Sequence, residues 1–333
     1  MSEYHSAQYY KNLKKGQVLC QLCPQSCRLS EGSTGLCQVR KNIQGELYSL
    51  NYGQITSLAV DPIEKKPLYH FYPGSEVLSL GSWGCNLSCV YCQNWQISQQ
   101  QSNFNYYSPQ SIIKFAQQRQ LKFIAYTYSE PIVFYEYMLE TAKLAQQNGI
   151  KNILISNGLI NQEPLKELVP YLAAANIDLK SFRASTYQKY FKGDLVTIKD
   201  TIAYLAEKVE LEISALLVSD LNTDMLEVTK MVNWLSKIDE EIPLHLNRYF
   251  PAYQLKNPAT KIEFLRKAYQ VAKERLKNVY LGNAIVAGTA DTYCSFCSKK
   301  LISRHSYQIE SLLQDNCCPD CAKIIYGRFK ANN

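Results

Sequence analysis

Several things are scarce in this chain of 333 residues, and each scarcity excludes something. No run of 18 apolar residues occurs, and residues 1–16 are polar and rich in Tyr and Lys, so neither a membrane span nor a secretory signal is expected and the expected compartment is the cytoplasm. Charge of one sign is also scarce. The net charge is +7, the excess sits in residues 1–60 and 290–333, and the middle is nearly balanced, which makes a polyanion-binding body a poor reading. The basic ends read as solvated surface, with nucleic acid a minor alternative. Cysteine is absent from 93 to 293, although the chain has 12. Disulfide staples spread through a fold do not leave such a gap.

What is present is therefore concentrated. Cysteines fall at 20, 23, 27 and 37, at 85, 89 and 92, and at 294, 297, 317, 318 and 321. Close spacings such as C-x2-C let two thiols reach one metal, so three thiolate sites are expected rather than disulfides. At 46% hydrophobic and 20% charged residues the chain has the composition of a packed globular protein, and its length suits one large domain with additions.

Between the cysteine groups, β-rich runs alternate with helical periodicity. Strands are expected at 77–81, 122–127, 152–156, 176–179, 210–218, 243–248 and 279–282. Helices are expected at 109–120, 132–148, 163–174, 197–208, 224–236 and 260–276, the first announced by Ser108 as a cap and Pro109 in the first turn. Such alternation predicts parallel strands with helical crossovers, as an open or partial (β/α) barrel or a doubly wound sheet, with the chemistry at the C-terminal strand ends.

The loop after the first strand reads Gly81-Ser82-Trp83-Gly84-Cys85-Asn86-Leu87-Ser88-Cys89-Val90-Tyr91-Cys92. Three cysteines in a C-x3-C-x2-C pattern each suit one iron of a [4Fe-4S] cube and leave the fourth iron open; the alternative is a zinc knuckle completed from elsewhere. This loop resembles the signature of the radical S-adenosylmethionine (SAM) superfamily, with Tyr91 at its aromatic position. The resemblance implies an α/β fold built on a partial (β/α)6 barrel, SAM bound to the open iron, and one-electron cleavage of SAM to methionine and a 5′-deoxyadenosyl radical. It also implies a reductant such as flavodoxin or ferredoxin.

Further strand-end segments carry the resemblance. The run Tyr126-Thr127-Tyr128-Ser129-Glu130-Pro131 stands where many members have a Gly-Gly-Glu-Pro run that holds the SAM amino group; both glycines are absent here, and Thr127, Ser129 and Glu130 remain as the candidates to serve in that role. Glu130 before Pro131 is otherwise a helix-start residue. Asn157 and the pair Asp178 and Lys180 are similar to the Asn-Gly and Asp-x-Lys segments of glycyl-radical-enzyme activases, whose usual acid two residues before the Asn is Ile155 here. Asp178 pairing with Lys180 or capping a turn is the plainer reading. His245, on the sixth strand, is a candidate for contact with SAM or substrate, against the alternative of a hydrogen-bonded core histidine.

The C-terminal Cys294, Cys297, Cys318 and Cys321 form two C-x2-C knuckles around a strand-like 301–304, suited to zinc or a single iron, with Cys317 a spare thiol that lets the ligand choice slip by one. The N-terminal Cys20, Cys23, Cys27 and Cys37 suit zinc, a single iron or an auxiliary cluster. End to end, with Asp61 through Phe71, the Tyr-Phe-Pro-Ala-Tyr run at 249–253 and Gly282-Asn283, the chain resembles the radical SAM member of the AmmeMemoRadiSam system, itself similar to pyruvate formate-lyase activating enzymes. That resemblance implies AMMECR-type and Memo-type partners and names no substrate.

The expected organisation is a Cys-rich module and lead-in at 1–75, a radical SAM partial barrel at 76–289 and a zinc-ribbon or rubredoxin-like module at 290–333. Three functions compete: SAM cleavage followed by hydrogen abstraction from an unassigned substrate, activation of a glycyl radical enzyme, and a non-catalytic metal-rich RNA- or protein-binding module. An intact triad argues against the last.

Overall fold

The computed structural model describes residues 4–313 and 316–329; the outermost residues of both expected terminal modules, and 314–315, lie outside the described residues. All seven strands expected from the β-rich runs form one sheet. In chain order they are β2 (Glu76–Gly81), β3 (Phe123–Tyr126), β4 (Lys151–Ser156), β5 (Leu172–Asp178), β6 (Glu210–Leu217), β7 (Leu244–Arg248) and β8 (Val279–Gly282). Each is parallel to the next and sits beside it. An eighth strand not expected from the sequence, β1 (Ser57–Pro62), runs antiparallel along β2 and ends the sheet at the opposite edge from β8. The two edges do not pair, so the sheet is an open, partial barrel.

Six crossovers link the seven parallel strands. Their principal helices are α1 (Pro109–Gln118), α2 (Tyr135–Gln147), α3 (Gln162–Leu168), α4 (Leu195–Ala206), α5 (Met225–Ile238) and α6 (Ile262–Lys273). Local chemistry fixes several starts. Ser108 accepts from Ser111 N at 3.2 Å with Pro109 behind it, and Asp194 accepts from Thr197 N at 2.9 Å. Loss of either cap costs about 1 kcal/mol. The third helix stops earlier than its periodicity suggests, because Pro170 diverts the chain into a 3-10 turn and β5 begins at Leu172, inside the span expected to be helical.

The strands are buried on both faces, as a covered parallel sheet requires. Leu78, Leu80, Ile124, Tyr126 and Leu154 join the core shared with Ile112 and Ile113 of α1, while Val77, Phe123, Ala125, Ile153 and Ala174 point the other way, into the barrel. The lower half of that interior is filled by Ile63, Leu68 and Phe71 from the lead-in to β2. The upper half, at the C-terminal strand ends, stays open.

The two cysteine-rich ends flank the barrel. The N-terminal segment forms small antiparallel sheets, one of Tyr10–Asn12, Val18–Cys20 and Arg28–Leu29. The C-terminal segment forms a hairpin of β9 (Lys300–His305) and β10 (Gln308–Ser311) that docks near the N-terminal strand ends, where His70 Nδ1 meets Tyr326 O at 2.7 Å, Arg304 donates to Tyr69 O at 2.7 Å and Arg328 pairs with Glu210 at 2.8 Å.

Candidate active site

A cleft of about 540 Å³ opens at the C-terminal ends of the strands. The loop after β2 brings Cys85, Cys89 and Cys92 into its wall; all three are free thiols. The loop is tied down locally. Leu87 N donates to Cys85 Sγ at 3.4 Å, Cys92 N to Cys89 O at 3.2 Å, and Cys92 Sγ meets Ser98 Oγ at 3.1 Å. Val90 O accepts from Gln254 N and Leu255 N, both at 3.0 Å, so the segment after β7 clamps the same loop. Tyr91 packs edge-on against Phe191 and Tyr249 at 5.5 and 6.1 Å.

Glu130 is the centre of the adjoining strand ends. Its carboxylate accepts from Ser156 Oγ at 2.7 Å, Asn157 N at 2.8 Å and Ile132 N at 3.1 Å, so it starts the 3-10 turn at Pro131–Phe134 and also holds the end of β4. Burial pushes its carboxyl up to about 7 against those donors. Asn157 continues the chain of contacts: its Nδ2 reaches Asn86 Oδ1 at 2.9 Å and Cys85 Sγ at 3.8 Å. Thr127 lines the cleft, and Ser129 donates to Ser82 O at 2.7 Å. Asp178 and Lys180 also line it, paired at 3.0 Å. Asp178 and the neighbouring Cys89 and Tyr91 keep the Lys180 ammonium charged well above its usual range, although burial opposes them.

The loss of the two glycines before Glu130 has a structural answer. Tyr128 occupies the first of those positions and takes φ 71°, a left-handed backbone that costs a non-glycine residue about 1–2 kcal/mol. Its side chain offsets this: the hydroxyl donates to Asp61 Oδ2 at 2.6 Å, and the Lys66 ammonium lies 4.5 Å from the ring centre. Asp61 also pairs with Lys65 at 3.1 Å and Lys66 at 2.8 Å, and these three donors hold its carboxyl well below the usual carboxylate range despite burial. Asp61, Lys65 and Lys66 also line the cleft and were not singled out from the sequence as site residues. Their signal was the close spacing of one acid and two adjacent lysines at a strand end.

One expected residue lies elsewhere. His245 shares the inward face of β7 with Asn247, which lines the cleft, but it stands two residues earlier, roughly 7 Å deeper along the strand. There it bonds Glu212 at 2.6 Å and packs between Tyr69 and Tyr280. His245 is therefore a hydrogen-bonded residue of the barrel floor, and the expected contact with SAM or substrate is corrected.

The C-terminal thiols are drawn together into one group. Cys294 and Cys321, and Cys297 and Cys318, are 3.6 Å apart, and all four sulfurs lie within 4.8 Å of one another. Tetrahedral coordination at about 2.3 Å to sulfur needs that spacing. Cys318, not Cys317, completes the set; Cys317 instead bridges to Ile324 through its backbone.

The triad site suits an iron–sulfur cluster and a further ligand. Three free thiols share the lining of the cleft, and the hydroxyl of Tyr91, a residue of the same lining, is buried with no partner. An open parallel barrel with such a loop after its first parallel strand defines the class of radical SAM enzymes. Residues 82–231 carry a radical SAM domain, matching the family model described as the radical SAM superfamily. The chain is 39% identical over 317 residues to the uncharacterized protein MJ0808 of Methanocaldococcus jannaschii, covering 93% of this chain and 94% of that one. Solved structures with a similar fold include a domain of the pyruvate-formate lyase-activating enzyme from Bacteroides vulgatus (20% identical, 48% of this chain and 98% of that chain, TM-score 0.43). Another is SuiB of Streptococcus suis bound to S-adenosylmethionine (12% identical, 67% and 53%, TM-score 0.49). Radical SAM enzymes need an electron donor. Among the described residues no helix is long and apolar enough to cross a membrane.

Proposed function

We propose that Cys85, Cys89 and Cys92 hold a [4Fe-4S] cluster with one open iron and that the cleft beside them binds SAM. When bound, the cluster supplies the electron that cleaves SAM to methionine and a 5′-deoxyadenosyl radical, which takes a hydrogen atom from a substrate in the same cleft. The observation that carries this reading is the convergence of the triad, Glu130, Asn157 and the unpartnered Tyr91 hydroxyl on one strand-end cleft.

The residues divide the work by their chemistry. Glu130, with Thr127 and Ser129 beside it, receives the SAM ammonium; Asn157 ties that carboxylate to Cys85; Lys180, charged and steadied by Asp178, is placed for a carboxylate. The four C-terminal cysteines hold a structural zinc, their closed set of thiols leaving no open position for chemistry. A low-potential carrier such as flavodoxin or ferredoxin supplies the electron. The end-to-end resemblance to the AmmeMemoRadiSam enzyme adds AMMECR-type and Memo-type proteins as partners. Anaerobic reconstitution followed by a dithionite-driven assay for 5′-deoxyadenosine tests the reading; a loaded protein that releases none overturns it.

A further inference from the structure

Cys20, Cys23, Cys27 and Cys37 line a second cavity, separate from the strand-end cleft, together with Leu22, Gly35, Leu36, Val133, Asn86 and Arg40. All four thiols are free, and three of them are buried. Their arrangement differs from that of the C-terminal set in the direction that distinguishes a cluster from a single ion. Among the described residues, the C-terminal quartet is the group whose ligand atoms gather within 4.8 Å of one another; the N-terminal four and the Cys85 triad are not gathered so closely, and the N-terminal four line a small cavity of about 20 Å³. Sulfurs bound to different irons of a cluster stand apart in this way, whereas sulfurs on one tetrahedral ion do not. Gly35 keeps that space free. A Cβ there would stand 3.5 Å from Cys27 Sγ and 3.6 Å from Cys37 Sγ, against two of the four sulfurs.

A second observation points to an occupant. The Arg40 side chain, only 2% exposed, forms part of the cavity wall and is ion-paired through Nη2 with Glu136, yet its Nε and Nη1 have no partner. A buried guanidinium with unspent donors beside an apolar, sulfur-lined cavity is matched by an anionic body with sulfur acceptors. A thiolate-ligated iron–sulfur cluster supplies both the negative charge and bridging sulfides.

The cavity is also in packing contact with the triad loop. Gly84, the residue before Cys85, lies so close that a Cβ would stand 2.7 Å from Cys37 O and 2.7 Å from Val39 Cγ1. Asn86, which lines the cavity with Cys23, accepts from Asn157 Nδ2 at 2.9 Å, and that same Nδ2 lies 3.8 Å from Cys85 Sγ. Gln25 reinforces the junction by donating to Asn86 O at 2.8 Å. Asn86 in the cavity wall and Asn157 beside Cys85 thus stand between the two cysteine sets.

We propose that Cys20, Cys23, Cys27 and Cys37 ligate an iron–sulfur cluster, a one-electron centre joined to the Cys85 loop through Asn86. In each cycle a low-potential one-electron carrier is oxidised by one electron and the centre is reduced by one, and the centre returns to its oxidised state when the electron moves on toward the triad; no bond breaks and no proton moves. The ligand assignment stands apart from the reading of the strand-end cleft, and the relay rests on it.

The test uses the full chain with the triad removed, Cys85→Ala/Cys89→Ala/Cys92→Ala, reconstituted anaerobically with iron and sulfide and analysed for iron, zinc and acid-labile sulfide. The expected result is roughly two to four irons with matching sulfide retained per chain, and an electron paramagnetic resonance signal that appears on dithionite reduction. Absence of sulfide, with or without a second zinc, overturns the assignment; a cluster that cannot be reduced overturns the one-electron role. The chain with Cys23→Ala/Cys37→Ala should lose that share of iron and sulfide and keep the remainder. Spin–spin broadening in the fully loaded, reduced protein that vanishes in both variants supports the link through Asn86, and signals that simply add without broadening sink it. SAM cleavage lost in the triad variant while its sulfide is retained separates the two readings.

Discussion

Replacing Glu130 by Gln tests the strand-end site at its most connected residue. In the wild-type chain three donors converge on this carboxylate, at 2.7, 2.8 and 3.1 Å, in a place that is only 3% exposed. Gln keeps one carbonyl oxygen but turns an NH2 toward at least one of those donors, and it removes the charge that an incoming ammonium needs. A hydrogen bond to a charged group contributes about 1.5–3 kcal/mol, so SAM affinity should fall by roughly 10- to 150-fold. The pH dependence separates this from a mere local disturbance. Burial raises the Glu130 carboxyl from 4.5 to about 7 in the free protein, so the ammonium-binding carboxylate is lost as pH falls below about 7. Affinity of the wild type should then weaken with a limiting slope of about tenfold per pH unit below that point, and the slope should vanish in Glu130→Gln. Equilibrium binding of SAM to cluster-loaded protein between pH 5.5 and 8.5 measures both. Equal affinity and an identical pH profile in the two proteins would refute the role. The same raised value carries a stability sign: the neutral acid is favoured in the folded free protein, so stability is lost as pH rises from about 4.5 through about 7 and bound ammonium restores it.

Three further outcomes follow from the same geometry. Cys294→Ser should open the C-terminal metal set and lower thermal stability, because the core of that module is small, built on Cys294, Leu301, Ile302, Cys318 and Ile325; SAM cleavage per folded molecule should stay nearly intact, and normal folding with lost cleavage and a retained triad cluster would make the module an electron relay instead. His245→Ala should destabilise the fold by about 3 kcal/mol in chemical denaturation, by leaving the buried Glu212 carboxylate short of a donor, without weakening SAM; a selective loss of SAM affinity at unchanged stability would return His245 to the site. Tyr128→Phe removes one of three donors from Asp61 and should cost about 1–2 kcal/mol of stability, and an unchanged denaturation midpoint would show that the hydroxyl contributes nothing there.

The fold was legible where side-chain pattern alone decides structure. All seven parallel strands carry β-branched or aliphatic runs bounded by turn residues, and the β8 limits agree with the expected 279–282. β1 escaped because Ser57–Pro62 alternates weakly and ends in proline, and it is held as a strand by its pairing with β2, a tertiary fact. The triad was legible because three thiols on one loop lie within eight residues of each other. Depth along a strand was not: His245 and Asn247 share a face, and only the closing layer of Tyr69, His70 and Tyr280 shows that one is floor and the other rim. Asp61, Lys65 and Lys66 entered the sequence reading only as part of the Asp61–Phe71 run that carries the resemblance, and their place at the cleft follows from the fold at the end of β1. The C-x2-C spacing already favours Cys318 over Cys317, and it is the Cys318 sulfur that lies with those of Cys294, Cys297 and Cys321.

The most direct test of the central claim is release of 5′-deoxyadenosine and methionine from SAM by the anaerobically reconstituted, dithionite-reduced protein, compared with Cys89→Ala prepared in the same way. Cys89 is one of three thiols in the wall of the strand-end cleft and has no substitute there, so the wild type should form both products and the variant neither. Equal product from Cys89→Ala, or none from a wild-type protein whose triad cluster is fully loaded, would contradict the account.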